Sequence, residues 1–289
     1  MTQNPPRVVL PEPVSGRDFD YVRTLVRDRT AIALDRSKVY LVNSRLMPLA
    51  RSAGFSSVVD YIQHLRSLPI GEPHRRAVEA VVTTETSFFR DHFPFEALRQ
   101  EVLPELIADR RTTTRSIVIW SAGCSSGQEP YSIAMMIRES FPELVTWNLR
   151  LLASDVSDGV LDRSRQGTYS QVEVNRGLPA SFLVKYFSQR GTSWRLKDDI
   201  RSMVAFFRHN LVREAPALPP IDILCMRNVL IYFDLETKRR VLDRALRQLR
   251  PGGLLMLGTA ETTLNLDDRF ERLRIGRAVF YRSPERRTS

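Results

Sequence analysis

The sequence predicts an α/β protein with a small all-helical N-terminal domain, followed by a larger domain built on a doubly wound parallel sheet. Two observations predict this division. Apolar residues recur at helical spacing over residues 18–75, whereas short apolar segments alternate with helical ones from residue 117 onward. A third observation concerns residues 181–202, where aromatic and charged residues occur without a long helical period. This segment predicts a small β-subdomain inserted into the larger domain.

The N-terminal domain is expected at residues 17–75, after a flexible, proline-rich N-terminus at residues 1–16. Apolar residues at spacings of three and four predict three amphipathic helices. These residues are Phe19, Val22, Leu25 and Val26 in the first helix, Leu41, Val42, Leu46 and Leu49 in the second, and Val58, Val59, Ile62 and Leu65 in the third. Pro48 is expected to end or kink the second helix, and Ser56 or Ser57 to cap the third.

The second domain is expected at residues 76–289. Six short apolar segments are its strand candidates, and helical segments lie between several of them. The strand candidates are residues 117–120, 149–153, 204–207, 221–225, 254–257 and 278–281, and the helices are residues 132–140, 159–165 and 235–249. Strands that alternate with helices in this way predict a doubly wound parallel sheet.

The turn after the first strand is the most informative stretch of the chain. Gly123 and Gly127 allow the backbone to turn sharply and to approach a ligand closely, and Pro130 suits the first turn of a helix. In open α/β sheets such a turn binds nucleotides. The spacing matches neither the dinucleotide fingerprint nor a P-loop, and Glu129 favours a ligand with a positive amine. A purely structural turn is the alternative.

Polar residues also follow other strands, at positions where a doubly wound sheet binds its ligands. Asp155 ends the second strand, where a carboxylate can accept both hydrogen bonds of a ribose diol. Asn210 and Asn228 follow the next two strands, where an amide that both donates and accepts suits an adenine edge. Each of these residues, taken singly, also fits a turn or a cap. Together with Glu129 they favour a ligand site at this edge.

Composition and charge narrow the class of protein. Of the 289 residues, 43% are hydrophobic and 26% are charged, as in ordinary globular proteins. No stretch approaches the roughly 20 apolar residues of a membrane span, and residues 1–13 lack the apolar segment of a secretory signal. Cys124 and Cys225 form neither a disulfide framework nor a metal-ligand spacing. We therefore expect a cytoplasmic protein without membrane insertion.

The net charge of +10 favours an acidic partner or nucleic acid. The arginines are spread along the whole chain, however, so a solvated basic surface is the alternative.

Seven motifs carry a resemblance to a known family. They are TETSFFRD (84–91), AGCSSGQEPYS (122–132), ASD (153–155), GTY (167–169), NL (210–211), RNVLIYFD (227–234) and LRPGGLL (249–255). In order and spacing they resemble the chemotaxis receptor methyltransferases, the CheR family, over residues 18–282. The resemblance implies a methyltransferase sheet that binds S-adenosylmethionine, transfers its methyl group to receptor glutamates and releases S-adenosylhomocysteine, with no metal.

The resemblance also implies roles for individual residues. On the cofactor side, Glu129 would meet the ammonium group and Asp155 the ribose hydroxyls. Arg90 and Tyr232 would be catalytic and face the incoming glutamate. The further cofactor-binding positions are Thr84, Thr86 and Arg90 near the methionine end, and Asn210, Leu211, Asn228 and Val229 around the adenine. Thr84 stands where the family usually has Asn and lacks its amide.

The implied partner is the cytoplasmic acidic helical region of methyl-accepting chemoreceptors. Lys38, Arg45 and Arg51 lie on a predicted helix over residues 36–51 and are the candidate substrate-binding residues, although a solvated basic face is the alternative. Some members of the family also hold a receptor-tail peptide through an enlarged β-subdomain loop. The corresponding stretch of this chain, residues 189–194, is a short loop, so no such tether is expected.

Two other functions remain open. A non-catalytic module that senses S-adenosylmethionine would need the cofactor residues but neither Arg90 nor Tyr232. A nucleic-acid methyltransferase of the amino-methylating type would carry an Asp/Asn-Pro-Pro-aromatic motif after the fourth strand, where this chain has RNVL at residues 227–230. No nucleic-acid partner is therefore expected.

Overall fold

The computed structural model describes residues 14–82 and 84–285. The chain divides into two compact units between residues 83 and 84. Most of the N-terminus that is expected to be flexible, residues 1–13, lies outside the described residues.

The first unit is a helical bundle, as the sequence predicts. Its helices are α1 (Gly16–Thr30), α2 (Val39–Ser52), α3 (Val58–Ser67) and α4 (Glu72–Val81), with a 3-10 turn at Arg36–Lys38. Each of the four contributes apolar side chains to one core. Ser15 caps α1 and Ser57 caps α3, each accepting a hydrogen bond from a backbone N–H in the first helical turn.

Two features of this unit differ from the prediction. Pro48 neither ends nor breaks α2, which continues to Ser52. Pro48 is exposed, so the carbonyl left without its helical donor can bind water instead. The division between the units also lies later than the boundary expected after residue 75, because Ala77, Val78 and Val81 of α4 pack into the core of the first unit.

The second unit contains ten strands within its described residues. They are β1 (Ser116–Ala122), β2 (Asn148–Asp155), β3 (Thr168–Ser170), β4 (Phe187–Arg190), β5 (Ser193–Leu196), β6 (Val204–Arg208), β7 (Ile221–Met226), β8 (Leu249–Leu257), β9 (Glu271–Ile275) and β10 (Ala278–Arg282). Seven form a sheet in the order β6-β2-β1-β7-β8-β10-β9. The pairs β6-β2, β2-β1, β1-β7 and β7-β8 are parallel, and β10 is antiparallel to both neighbours.

The helices of the second unit precede the strands or lie between them along the chain. They are α5 (Phe93–Ala97), α6 (Leu103–Arg110), α7 (Gln128–Ser140), α8 (Asp158–Gln166), α9 (Gln171–Asn175), α10 (Ala180–Tyr186), α11 (Asp198–Arg201) and α12 (Leu235–Gln248). A π-helical turn at Leu98–Val102 joins α5 to α6, and 3-10 turns occur at Pro142–Thr146 and Leu230–Tyr232.

The structure confirms the predicted α/β sheet and all six of its predicted strands. It adds β9, whose sequence ERLRI is too polar to stand out as a strand. The inserted β-subdomain is also larger than residues 181–202, because its sheet, in the order β3-β5-β4, begins at Thr168. Within the described residues, no helix is long and apolar enough to cross a bilayer.

Candidate active site

The parallel strands bring four of the predicted ligand positions to one edge of the sheet. β6, β2, β1 and β7 are neighbours and run in the same direction, so the segments that follow them lie along a common edge. The segments after β6, β1 and β7 carry Asn210, Glu129 and Asn228 respectively, and Asp155 is the last residue of β2. This edge is where open α/β sheets bind ligands, and we take it as the candidate active site.

The turn after β1 approaches the turn after β7 very closely. Gly123 has φ of 81°, in the left-handed region that favours glycine. A Cβ atom built on Gly123 would lie 2.7 Å from Cγ2 of Val229. No larger residue fits without displacing one of the two turns, so Gly123 fixes their spacing.

Asp155 is held in place by the turns around it. Its Oδ2 accepts a hydrogen bond of 2.9 Å from the backbone N–H of Ser125, and its Oδ1 accepts one of 3.1 Å from that of Ser157. The hydroxyl of Ser125 in turn donates to the carbonyl oxygen of Thr84 at 2.5 Å. Asp155 therefore joins the end of β2 to the glycine turn and, through Ser125, to the segment that carries Thr84 and Thr86.

Glu129 lies in the first turn of α7, where the helix dipole favours a carboxylate. Its Oε1 accepts a hydrogen bond from the hydroxyl of Ser121 at 2.7 Å, and its Oε2 lies 3.1 Å from Nη1 of Arg227. Its side chain is 12% exposed. The carboxylate is therefore fixed from two sides at the predicted ligand edge.

Arg227 is the central residue of this site, and sequence analysis missed it. Its side chain is only 2% exposed. Besides Glu129 it reaches the segment before α5: Nη2 donates to the carbonyl oxygen of Arg90 at 2.8 Å and to Oδ2 of Asp91 at 2.6 Å. One guanidinium between two carboxylates leaves a net charge of −1 at this point, which favours a cationic ligand. The signal that could have revealed Arg227 is its position directly after β7 (Ile221–Met226), whose six residues are all buried.

Residues 84–92 hold Arg90 through two aromatic anchors. Phe88 is fully buried and packs edge to face against Tyr169 and Phe187, at centroid distances of 5.0 and 5.7 Å. Phe89 packs against the same core, and its backbone N–H donates to the hydroxyl of Ser132 at 2.9 Å. Phe88 therefore lies in the core and Phe89 packs against it, which anchors the segment that carries Arg90.

The backbone around Arg90 is strained. Phe89, Asp91 and His92 have φ of 46°, 65° and 52°, a region that costs non-glycine residues about 1–3 kcal/mol each. The Arg90 side chain donates from Nη1 to the carbonyl oxygen of Glu85 at 3.2 Å. Strain of this kind persists only where the surrounding contacts impose it, and it clusters at functional sites.

The turn after β7 is organised by a second residue that the sequence did not reveal, Glu261. Its Oε2 accepts hydrogen bonds of 2.7 Å from the backbone N–H groups of Asn228 and Gly258, and its Oε1 accepts one of 3.2 Å from that of Ile231. Tyr232 follows directly, at the end of a 3-10 turn. Glu261 thus positions the backbone that carries both Asn228 and Tyr232.

Asn228 presents an acceptor that the described residues leave unused. It has φ of 57°, and its Oδ1 is buried without a hydrogen-bond partner among residues 14–82 and 84–285. A buried acceptor of this kind costs free energy unless a ligand or water supplies a donor. An adenine amino group is such a donor.

Asn210 and Leu211 lie beyond β6 on the same edge of the sheet. Oδ1 of Asn210 accepts a hydrogen bond of 3.2 Å from the backbone N–H of Val212, which shapes the turn. Leu211 lines a small apolar cavity of about 20 Å³ together with Trp120 and His209. This end of the site is therefore less polar than the end that holds Arg227.

Comparison with known proteins decides the family. A family model described as "CheR methyltransferase, SAM binding domain" matches residues 84–279, and one described as "CheR methyltransferase, all-alpha domain" matches residues 17–81. The chain belongs to the CheR methyltransferase family. The predicted resemblance is confirmed, and the two matched ranges correspond to the two units of this CheR methyltransferase.

Curated relatives agree with the family over nearly their whole length. "Chemotaxis protein methyltransferase 1" of Pseudomonas aeruginosa is 38% identical over 274 residues, 93% of this chain and 98% of the relative. "Chemotaxis protein methyltransferase Cher2" of Pseudomonas putida is 36% identical over 270 residues, 92% of this chain and 98% of the relative. "Chemotaxis protein methyltransferase 1" of Vibrio cholerae is 38% identical over 274 residues, with the same shares as the first. Together with the match to the SAM binding domain over residues 84–279, they show that the chain is an S-adenosylmethionine-dependent methyltransferase.

The residues at the strand ends fit this cofactor. S-adenosylmethionine carries an ammonium and a sulfonium cation, which suit the net negative charge around Glu129, Asp91 and Arg227. Its adenine amino group suits the unused acceptor of Asn228.

Neither cysteine of this CheR methyltransferase is placed for nucleophilic chemistry. Cys124 and Cys225 are both buried, and burial raises the pKa of each thiol well above its ordinary value, so both stay protonated at neutral pH. Within the described parts of the chain, no group of three or more His, Cys, Asp or Glu side chains is arranged to hold a metal ion.

The three predicted substrate-binding residues lie in the helical unit. Arg45 and Arg51 are on α2, and Lys38 ends the 3-10 turn that precedes it, so the regular helix begins later than residue 36. Lys38 and Arg51 are exposed and Arg45 is half-buried. None of the three forms an ion pair with the residues that the structure describes.

Proposed function

We propose that this enzyme transfers the methyl group of S-adenosylmethionine to glutamate side chains of chemoreceptors, forming glutamate methyl esters and S-adenosylhomocysteine. The observation that carries the proposal is the buried Arg227, which ties Glu129 to the segment that presents Arg90. The guanidinium of Arg227 thereby fixes Glu129, the proposed cofactor ligand, relative to Arg90. The positive charge of Arg90 suits an incoming carboxylate. The names of the curated relatives support a partner in chemotaxis.

The cofactor side of the proposal uses the residues at the strand ends. Glu129 binds the ammonium group and Asp155 the ribose hydroxyls, each as a carboxylate that is already held by its neighbours. The adenine is bound among the turns after β6 and β7. The residues proposed for the adenine are Asn210, Leu211, Asn228 and Val229, and those proposed for the methionine end are Thr84, Thr86 and Arg90.

The substrate side needs orientation rather than proton transfer. When bound, the cofactor supplies a methyl group on a positively charged sulfur. A glutamate with an ordinary pKa of about 4.3 is already ionised at pH 7, so no general base has to remove a proton. Arg90 and Tyr232 orient the carboxylate, and the chain's own atoms exclude water that would otherwise solvate the reacting charges.

The partner of the proposal is the cytoplasmic acidic helical region of methyl-accepting chemoreceptors. Lys38, Arg45 and Arg51 supply basic groups for that region. β4 and β5 are joined by two residues, Gly191 and Thr192, so this hairpin offers little surface to a receptor-tail peptide. We expect no such tether.

A methyl-release assay tests the function. The enzyme is incubated with S-adenosylmethionine labelled in the methyl group and with membranes that contain chemoreceptors, and the labelled protein is then treated with base. Carboxyl methyl esters release volatile methanol, which we expect in proportion to enzyme. Label that stays in nucleic acid would favour a nucleic-acid methyltransferase, and no label with intact cofactor binding would favour a sensing module.

A further inference from the structure

A groove beside the candidate active site has no role in the proposed chemistry so far. It has a volume of about 380 Å³ and lies between the β9-β10 hairpin and the loop after β8. Phe93 and Pro94 at the start of α5 close one side. We call it the hairpin groove.

Two residues that line the hairpin groove are connected to the segments that carry the proposed catalytic residues. Asp91, which lines it, directly follows Arg90 in the chain. Glu261, which also lines it, accepts a hydrogen bond from the backbone N–H of Ile231, the residue before Tyr232. A chain segment in this groove would therefore contact residues that are joined to the segments carrying Arg90 and Tyr232.

The acidic groups in the groove already have partners. Oδ2 of Asp91 is ion-paired with Arg227 at 2.6 Å and accepts a hydrogen bond from the hydroxyl of Thr259 at 3.1 Å. The two carboxylate oxygens of Glu261 accept hydrogen bonds from three backbone N–H groups, and Glu261 is only 9% exposed. Both carboxylates are therefore already bonded to groups of the chain itself.

The basic groups in the groove have no such partners. Arg272 and Arg277 are exposed, and neither forms an ion pair with any residue in the described ranges. The guanidinium of Arg277 lies 3.8 Å from the centroid of the Phe93 ring. A cation–π contact of this kind holds the guanidinium without using its N–H groups, which stay free to donate to a carboxylate.

We propose that the hairpin groove, through Arg272 and Arg277, binds an acidic side chain of the substrate helix that lies one helical turn from the glutamate to be methylated. The inference rests on the proposed function and deepens it, because it assigns sequence selectivity to this groove. One turn is the relevant spacing, since residues three or four apart lie on the same face of a helix. The groove then selects glutamates that have an acidic neighbour.

Receptor methylation kinetics with a charge-matched control test this inference. The variant is Arg272→Gln with Arg277→Gln, and the substrate is a soluble cytoplasmic receptor fragment that the wild-type enzyme methylates. The control is Arg111→Gln with Arg150→Gln, two exposed arginines of the same unit without ion pairs among the described residues. We expect KM for the receptor to rise about tenfold in the groove variant only, with kcat and S-adenosylmethionine affinity unchanged.

A double-mutant cycle separates recognition from a merely structural effect. Each acidic residue three or four positions from the methylated glutamate is changed to Gln in the receptor fragment. One of these changes should raise KM for wild-type enzyme and have no further effect on the groove variant. An unchanged KM in the groove variant, an equal rise in the control, or additive effects in the cycle would overturn the inference while receptor methylation itself stands. If wild-type enzyme forms no base-labile methyl esters on any receptor, the proposed function fails and this inference fails with it.

Discussion

Nη1 of Arg227 lies 3.1 Å from Oε2 of Glu129, and the same guanidinium reaches the carbonyl oxygen of Arg90 at 2.8 Å. The ion pair joins the end of β7 to the first turn of α7, and the second contact joins it to the strained segment before α5. The proposed cofactor side and the proposed substrate side of the site therefore share one buried cation. Its loss should disturb both sides together.

Replacing Arg227 with Met tests this relationship. The change leaves the carboxylates of Glu129 and Asp91 without their cation, and breaking a buried pair in this way typically costs about 3–5 kcal/mol. We expect the free energy of unfolding in urea to fall by about 3 kcal/mol, and S-adenosylmethionine affinity to fall as well. Arg111→Met, at an exposed arginine, should stay within about 0.5 kcal/mol of wild type. A loss below about 1 kcal/mol for Arg227→Met would contradict a central role for this ion pair.

Asp155→Ala tests the cofactor side. Loss of the carboxylate should weaken S-adenosylmethionine binding at least tenfold, or about 1.4 kcal/mol, the size of lost hydrogen bonds to a charged group. Calorimetry on folded protein measures the affinity. Asp162→Ala, which removes an exposed carboxylate from α8, is the matched control and should bind as wild type does. Unchanged affinity in Asp155→Ala would remove Asp155 from the cofactor site.

The strand-end positions could be predicted from sequence because each depends on local pattern. A β-branched apolar strand followed by Gly123 and Gly127 specifies a turn at the carboxyl end of a buried strand, and the structure has β1, that turn and α7 there. The same holds for Asp155, which ends β2. Local pattern thus gave the edge of the sheet and the polar residues on it.

Arg227 and Glu261 could not be assigned in this way, because their roles depend on contacts between distant segments. Arg227 meets Arg90 and Asp91 across more than 130 positions, and Glu261 meets Asn228 across 33. Pro48 shows that a local rule can also mislead. Its local rule predicts a broken helix, but an exposed position in α2 lets water replace the lost helical hydrogen bond.

Gly258→Ala tests the turn that Glu261 organises. A Cβ atom there would lie 2.7 Å from Nδ2 and 2.9 Å from the backbone nitrogen of Asn228, and 2.8 Å from Oε2 of Glu261. Something must shift, so we expect weaker S-adenosylmethionine binding and a lower thermal midpoint. Gly16→Ala is the control, since nothing lies within 4 Å of its Cβ position and neither glycine has a positive φ. Wild-type affinity in Gly258→Ala would show that Asn228 does not depend on this packing.

Arg90→Ala and Tyr232→Phe test the substrate side. Both should lower turnover on receptor by more than they weaken S-adenosylmethionine binding, because their proposed partner is the glutamate. Arg90→Lys keeps the charge and should recover part of the activity. Steady-state kinetics and calorimetry on the same preparations give the two numbers. Full activity in Arg90→Ala would exclude an orienting role, and a loss confined to cofactor binding would place Arg90 on the cofactor side alone.

The basic residues on α2 and in the turn before it lead to a separate prediction about the encounter with the receptor. If Lys38, Arg45 and Arg51 meet an acidic helix, reversing Arg45 and Arg51 to Glu should raise KM for the receptor and leave S-adenosylmethionine affinity unchanged. Exposed charges more than about 10 Å apart are largely screened at 0.1 M salt, so wild-type methylation should also fall as salt rises to physiological levels. The fall should be graded, since peripheral charges act mainly on the rate of encounter. Arg23→Glu with Arg27→Glu, on α1 in the same unit, controls for the change in net charge, although each has a neighbouring carboxylate. Salt-independent methylation with an unaltered KM in the α2 variant would leave these residues as a solvated surface and move receptor recognition to the second unit.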